Sequence, residues 1–413
     1  MRKALMAAAV AAALLPAAAS ATTGYFSHGY GIKAKSMGGV GIALPQDSLA
    51  AATNPAGMAL VGNRMDLGID YFEPDRGAEV VGNGFFSGTY DGNGAKSFLI
   101  PEFGYNRMIK PNLALGVSVY GNGGMNTEYT RSPFANLGGS SPAGVDLSQL
   151  FVSPTVAWKT GAHAFGASLN FAYQRFQARG LQPFAGFSSD PANLTDRGYD
   201  TSTGWGARIG WTGQVTPSVT LGATYQTKTG MSKFEKYKGL FAEQGGFDIP
   251  ENYGVGVAWK ASSALTLAAD VQRINYGDVP SVGNSINCLF TGCQLGGNNG
   301  AGFGWQNTTV YKIGAMYELN PTWTLRAGYA TLKQPIPASQ TLFNILAPGV
   351  VENHATLGAT WQVSKASELT FAYMHAFENK VNGAGSIPPA LGGGEANLRM
   401  SENSLGIAWG WRY

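Results

Sequence analysis

The sequence predicts an all-β protein, a 14-stranded antiparallel transmembrane β-barrel with an N-terminal segment folded inside its lumen. Three observations lead there. Large apolar residues alternate with small or polar ones in fourteen stretches, the connections between those stretches are short and long by turns, and the aromatic residues sort by strand end. Composition sets the frame: 58 of 413 residues are glycine, 13% are charged and 12% are aromatic. A disordered chain would be richer in charge and poorer in aromatics. A helical membrane protein would need apolar runs of roughly 20 residues. The length alone would suggest two or three domains, but barrels exceed that as single units.

The chain opens on Met1-Arg2-Lys3, followed by an apolar run from Ala4 to Leu15 and small residues at Ala19-Ser20-Ala21. This is a signal-peptide pattern over residues 1–21, too short for a spanning helix. Cleavage after Ala21 removes Arg2 and Lys3 and leaves a nearly neutral chain. Such a chain gives no electrostatic case for nucleic acid, which requires a basic surface. Residues 22–60 follow and do not alternate. Asp47 or Ser48 can cap a short helix over Leu49–Thr53, which Pro55 would end. This stretch could hang free below a barrel or fold into it as a plug. Its apolar residues (Met37, Val40, Ile42, Leu44, Met58, Leu60) favour burial.

Residues 61–413 carry the alternation. It begins with Met65, Leu67, Ile69 and Tyr71, spaced by Asp66, Gly68 and Asp70, and ends with Leu405, Ile407, Trp409, Trp411 and Tyr413. A period of two puts these side chains on one face of a strand. Twelve further stretches between them, including a less regular run from Phe98 to Arg107, bring the number to fourteen. An even number is what a closed bacterial barrel requires. Short connections such as 108–112 and 160–162 take turns with long ones such as 121–147 and 177–201. In an outer-membrane barrel the short turns face the periplasm and the long loops face outward. Trp158, Trp211, Trp259, Trp323 and Trp361 lie beside short turns, whereas Tyr71, Tyr173, Tyr225, Tyr329 and Tyr373 lie at the opposite strand ends. Two aromatic girdles explain that sorting, and a soluble sandwich does not.

Inward positions are mostly Gly, Ala, Ser and Thr, with isolated charges at Asp66, Asp70, Arg208, Asp270 and Arg326. A water-filled porin would be more densely charged. The only cysteines, Cys288 and Cys293, lie in a Gly/Asn-rich loop with no histidine nearby. In an exported protein this pair reads as a disulfide rather than a metal site. A nucleophile–base pair is also missing, because neither His163 nor His375 lies near a convincing serine. No catalytic residue, cofactor or metal is therefore expected.

The stretch Asp47 to Met58, with Asn54-Pro55-Ala56-Gly57, resembles the FadL family of outer-membrane transporters for long-chain fatty acids and other hydrophobic compounds. Gly38-Gly39, Phe165 to Leu169, Gly180-Leu181-Gln182, Pro250 to Tyr253 and the aromatic last strand extend the resemblance over the mature chain. It implies that residues 22–60 form a hatch, with Asp47, Asn54, Pro55, Ala56 and Gly57 at its gate. It also implies capture of ligand at the extracellular loops, and sideways release into the membrane at an inward kink in the third strand. Gly121-Asn122-Gly123-Gly124 directly follow the third-strand pattern and read equally as that kink or as an ordinary glycine-rich loop start.

A carboxylate ligand in an apolar lumen would need a basic partner. Arg208 and then Arg326 are the candidates, although each also reads as the partner of Asp66, Asp70 or Asp270. Phe176, Leu181, Phe184 and Phe187 form an apolar cluster in a long loop, a candidate capture groove. The expected function is passive uptake of a long-chain fatty acid or similar hydrophobe by a monomer surrounded by outer-membrane lipid. A relative tuned to aromatic or alkane hydrocarbons is the second reading, and an adhesin or structural barrel the third.

Overall fold

The computed structural model describes residues 22–413; the leader expected over residues 1–21 lies outside the described residues. Sixteen strands form one sheet. Two of them, Gly88–Asp91 and Gly230–Met231, are short and stand outside the barrel wall, pairing with the extracellular ends of their neighbours. The remaining fourteen make the wall. They are β1 (Arg64–Val81), β2 (Phe98–Lys110), β3 (Leu113–Asn126), β4 (Gly144–Thr160), β5 (His163–Arg179), β6 (Asp200–Thr216) and β7 (Val219–Gln226). Then come β8 (Asn252–Lys260), β9 (Leu265–Ile274), β10 (Thr308–Glu318), β11 (Trp323–Leu332), β12 (Asn353–Gln362), β13 (Ser367–Val381) and β14 (Glu395–Arg412). Each pairs antiparallel with its sequence neighbours, and β14 closes on β1 from Arg64↔Arg412 to Val81↔Glu395. Closure removes the free edges that a sheet in lipid cannot leave unpaired.

The fourteen stretches of alternation correspond one to one with these strands. Their outward side chains, among them Leu67, Ile69, Leu169, Ile209, Val255, Leu357 and Leu405, are exposed and form the apolar band. Several strands run longer than the alternation suggested. A span needs about 9–11 residues, yet β1 and β14 each have 18 and continue into stretches expected to be loops. The extra length is paired backbone above the membrane, where polar outward residues are tolerated. That explains why the apolar signal stops before the strand does.

Thr22–Leu60 lies inside the barrel, with nearly every residue buried. It has only three short helical turns, Ile32–Lys35, Ala50–Ala52 and Pro55–Ala59. Pro55 opens the third turn rather than closing the second, in the first-turn position that suits a residue without an N–H. Asn54 caps the third turn, its Oδ1 accepting from Ala56 N at 3.1 Å. Of the two residues expected to cap the second it is Asp47, not Ser48, whose side chain accepts from the N–H two residues on, just ahead of Ala50–Ala52. Inward glycines on the wall make room for this segment. Gly328 is one example, because a Cβ there would overlap the Met37–Gly38 backbone.

Candidate functional site

The lumen has a polar lower part and an apolar upper part. In the lower part, inward carboxylates of the wall hold the N-terminal segment. Asp270 accepts from Gly41 N (2.8 Å) and Ile42 N (3.0 Å), and Glu102 from Ile32 N (2.8 Å) and Gly31 N (3.2 Å). Asp66 accepts from Ser48 N at 2.9 Å, and Asp70 pairs with Lys35 at 2.7 Å. Glu368 is shared by Lys33 of the segment, Arg64 (2.7 Å) and Arg412 (2.8 Å). Asn54 donates to the carbonyls of Ile42 (2.7 Å) and Trp211 (3.0 Å), tying the segment to β6. Asp47 accepts from Leu49 N at 3.0 Å. Burial, reinforced by the negative charge of Asp66, pushes the Asp47 carboxyl up to about 6.

Both candidate arginines serve this lower network, and neither pairs with an aspartate. Arg208 donates to the Thr53 carbonyl at 2.8 Å and to Gln226. Arg326 donates to Gln46 Oε1 and Thr360 Oγ1, each at 2.7 Å. The expected Arg–Asp pairs do not form because the wall aspartates are already taken, Asp270 and Asp66 by backbone N–H groups of the N-terminal segment, Asp66 also by Arg64 of β1, and Asp70 by Lys35. A single strand pattern shows which residues face inward but not what fills the lumen.

Gly121, Asn122, Gly123 and Gly124 lie within β3, so the glycine-rich stretch is strand and not loop start. The β2–β3 ladder runs only from Lys110↔Leu113 to Phe103↔Val119. Beyond it, Phe98–Glu102 of β2 pair with β1 alone, and β3 keeps pairing with β4 through a bulge between Gly121 and Gly123. The freed edge of β3 turns to the N-terminal segment instead. Ser27 N donates to Asn122 O at 3.1 Å, and Gly124 N donates to Tyr25 O at 2.9 Å. Gly123 is required for that approach, because a Cβ there would overlap the Tyr25 carbonyl oxygen.

The upper part is an apolar core formed by the extracellular loops. Phe176, Leu181 and Phe184 line a narrow cleft together with Phe241, Phe303 and Phe343. Its free volume is about 30 Å³, room for little more than a water molecule. These residues are buried and not exposed as a loop patch would be; Phe176 sits at the end of β5. Phe187 does not line the cleft and packs on Phe290 with ring centroids 5.7 Å apart. Neither Arg208 nor Arg326 lines it. Cys288 and Cys293 form a disulfide in the loop that closes over this core. The same contiguous apolar core includes Tyr25 and Phe26 of the N-terminal segment, Tyr120 of β3 and Ile100 of β2.

Sequence reasoning missed most of the anchors: Lys33, Lys35, Arg64, Glu102, Lys312 and Glu368. Lys312 donates to the His28 carbonyl at 2.8 Å, across the lumen wall. Inward parity was the available signal for Lys312 and Glu368, whereas Glu102 lies in the less regular run, next to the buried Phe103.

A closed apolar-banded barrel whose lumen is filled by its own N-terminal segment defines a class, the plugged barrels of the bacterial outer membrane. The chain belongs to the outer membrane protein transport protein family (OMPP1/FadL/TodX), whose model matches residues 17–413. It is thus an outer-membrane transport protein. Its fold is similar to that of the Pseudomonas putida toluene transporter TodX, at 21% identity and TM-score 0.72, with 95% of this chain and 100% of that chain covered. A Pseudomonas aeruginosa FadL homologue matches at 18% identity and TM-score 0.71, covering 94% and 99%. The Ralstonia pickettii toluene transporter TbuX matches at 20% identity and TM-score 0.66, again covering 94% and 99%. No curated protein sequence matches the chain.

Proposed function

We propose that this protein carries neutral hydrophobic compounds passively through the outer membrane. The continuous apolar core carries the reading. It runs from the extracellular cleft at Phe176, Leu181 and Phe184 to Tyr25 and Phe26, where the β2–β3 ladder is interrupted. In this reading the cleft captures ligand, and its small volume means that aromatic side chains turn aside as ligand enters. Residues 22–60 act as a hatch, gated around Asp47 and Asn54-Pro55-Ala56-Gly57. Release is sideways past Gly121–Gly124 into the surrounding lipid, since each CH₂ moved from water to lipid gains about 0.8 kcal/mol. The protein acts as a monomer surrounded by outer-membrane lipid, and a leader over residues 1–21 directs its export.

A neutral ligand is favoured over a carboxylate because the cleft is lined by no cation. The solved relatives described as toluene transporters are in keeping with a hydrocarbon. One observation favours the fatty-acid reading: the buried Nε of Arg208 has no hydrogen-bond partner, and an unpaired buried donor invites one. Uptake of labelled toluene and labelled oleate, in cells lacking their own transporters, separates the two. Toluene uptake by the wild type should fall at least tenfold in Phe184→Asp and be unchanged in Arg208→Gln. Oleate uptake that depends on Arg208 would move the assignment to fatty acids. Uptake of neither from a correctly inserted barrel would leave an adhesin or structural role.

A further inference from the structure

The lower lumen contains a second opening, on the periplasmic side and separate from the apolar path. A cavity of about 260 Å³ lies between the N-terminal segment and the strands around the 319–322 and 363–366 turns. Three cations, Lys33, Arg326 and Arg412, line it with a single carboxylate, Glu368. Gln46, Thr360, Thr322, Thr324 and Gln362 complete the polar lining. Glu368 is already shared among Lys33, Arg64 and Arg412. Behind it, Asp66 is bound by Arg64 and Ser48, and Asp47 faces the same cluster from the N-terminal segment.

Arg326 stands apart within this group. It is 7% exposed, and among the described residues it makes no ion pair. Its hydrogen bonds go to two neutral acceptors, Gln46 Oε1 through Nε and Thr360 Oγ1 through Nη1, which leaves Nη2 outside both. A buried guanidinium held only by neutral groups keeps much of its desolvation cost. A planar oxyanion matches its fork and would offset that cost. The cavity is wide enough for such a group and opens at exposed turn residues, Pro321 and Thr322.

We propose that this cavity is a periplasm-facing site for a small oxyanion, a carboxylate or phosphate group held by Arg326 with Lys33 and Arg412 beside it. The anion competes with Gln46 for the Arg326 fork. Gln46 belongs to the N-terminal segment, and its backbone carbonyl also accepts from Lys33 (3.3 Å) and Arg64 (3.2 Å). Binding therefore loosens the segment from the periplasmic side. The site takes its ligand from the periplasm and stands whether the transported compound is a hydrocarbon or a fatty acid.

The test is calorimetric titration of the detergent-purified full-length protein at low ionic strength. Sodium phosphate and sodium acetate are separate arms, telling a phosphate preference from a carboxylate one. Saturable binding by the wild type should weaken at least tenfold in Arg326→Gln. Binding should tighten about threefold in Gln46→Ala, because the competing amide is gone. Unheated gel mobility of each variant shows whether the barrel is folded. Arg326→Lys, which keeps the charge without the fork, guards against a folding failure and should bind between wild type and Arg326→Gln. No saturable binding by the wild type, or equal affinity in Arg326→Gln, overturns the proposal. An unchanged affinity in Gln46→Ala overturns the competition with the N-terminal segment.

Discussion

The two ends of the lumen solve different problems with different forces. Below, wall carboxylates and cations meet the N-terminal segment through directional bonds: Asp270 on two backbone N–H groups, Asp70 on Lys35, Glu368 on three cations. Above, phenylalanines from the end of β5 and several loops pack at ring distances of about 5 Å, as in Phe176–Phe241 (4.6 Å) and Phe184–Phe343 (5.1 Å). Charge-assisted bonds fix one position and orientation and are lost as a set when one member goes. Apolar packing has no such direction, so it can rearrange around a guest of similar chemistry. The difference suits the lower end to holding a plug and, in the function proposed above, the upper end to admitting a ligand.

The largest expected effect comes from breaking the polar end. Glu368→Gln leaves Lys33 and Arg64 without their shared carboxylate, and removing one partner of a buried pair typically costs about 3–5 kcal/mol. The thermal midpoint in detergent should fall, and conductance in a planar bilayer should rise as the N-terminal segment leaves the lumen. A silent, equally stable variant would show that the ion pairs do not hold it. The next effect lies at the junction of the two ends. Gly123→Val forces β3 away from Tyr25, an overpacking cost of about 1–3 kcal/mol. Toluene uptake should change at least fivefold while the barrel still inserts; unchanged uptake would disconnect this contact from transport.

The smallest effect sharpens the comparison through pH. The Asp47 carboxyl is pushed up to about 6 by burial and by Asp66, so the folded state binds its proton more readily than the unfolded chain does. Stability therefore rises as pH falls through 6 and is lost as pH rises from about 4 toward 6 and ionisation becomes costly. The melting midpoint of the wild type should rise modestly between pH 7 and pH 5, and Asp47→Asn should flatten that slope. A slope unchanged in Asp47→Asn would assign it to other groups.

Much of this was legible in the sequence, for identifiable reasons. Leu405 to Tyr413 alternate because one side of β14 meets lipid and the other the lumen, and a period of two records that without any partner being known. Trp158 and Tyr173, at opposite ends of β4 and β5, mark the two interfaces in the same way. Asn54-Pro55-Ala56-Gly57 also stood out, through its resemblance to a family motif, although Pro55 reads in the sequence as closing a helix and in fact opens one. The role of Glu368 was not legible. Its carboxylate is called for by Lys33, Arg64 and Arg412, residues 335, 304 and 44 positions away.

The sequence by itself determined the number of strands, their outward faces, the direction of their connections and the presence of a non-strand segment before them. Each of these follows from local chemistry repeated along the chain, namely lipid against one side and water at the ends. Only the tertiary structure decided that Arg208 and Arg326 bind the N-terminal segment and not the wall aspartates. Only it decided that Gly121–Gly124 stay in β3 while turning from β2 to Tyr25, and that the phenylalanine cluster is a buried cleft. Those choices depend on which groups meet when a ring of fourteen strands closes around 39 residues of its own chain. Contacts between residues hundreds of positions apart leave no period in the sequence.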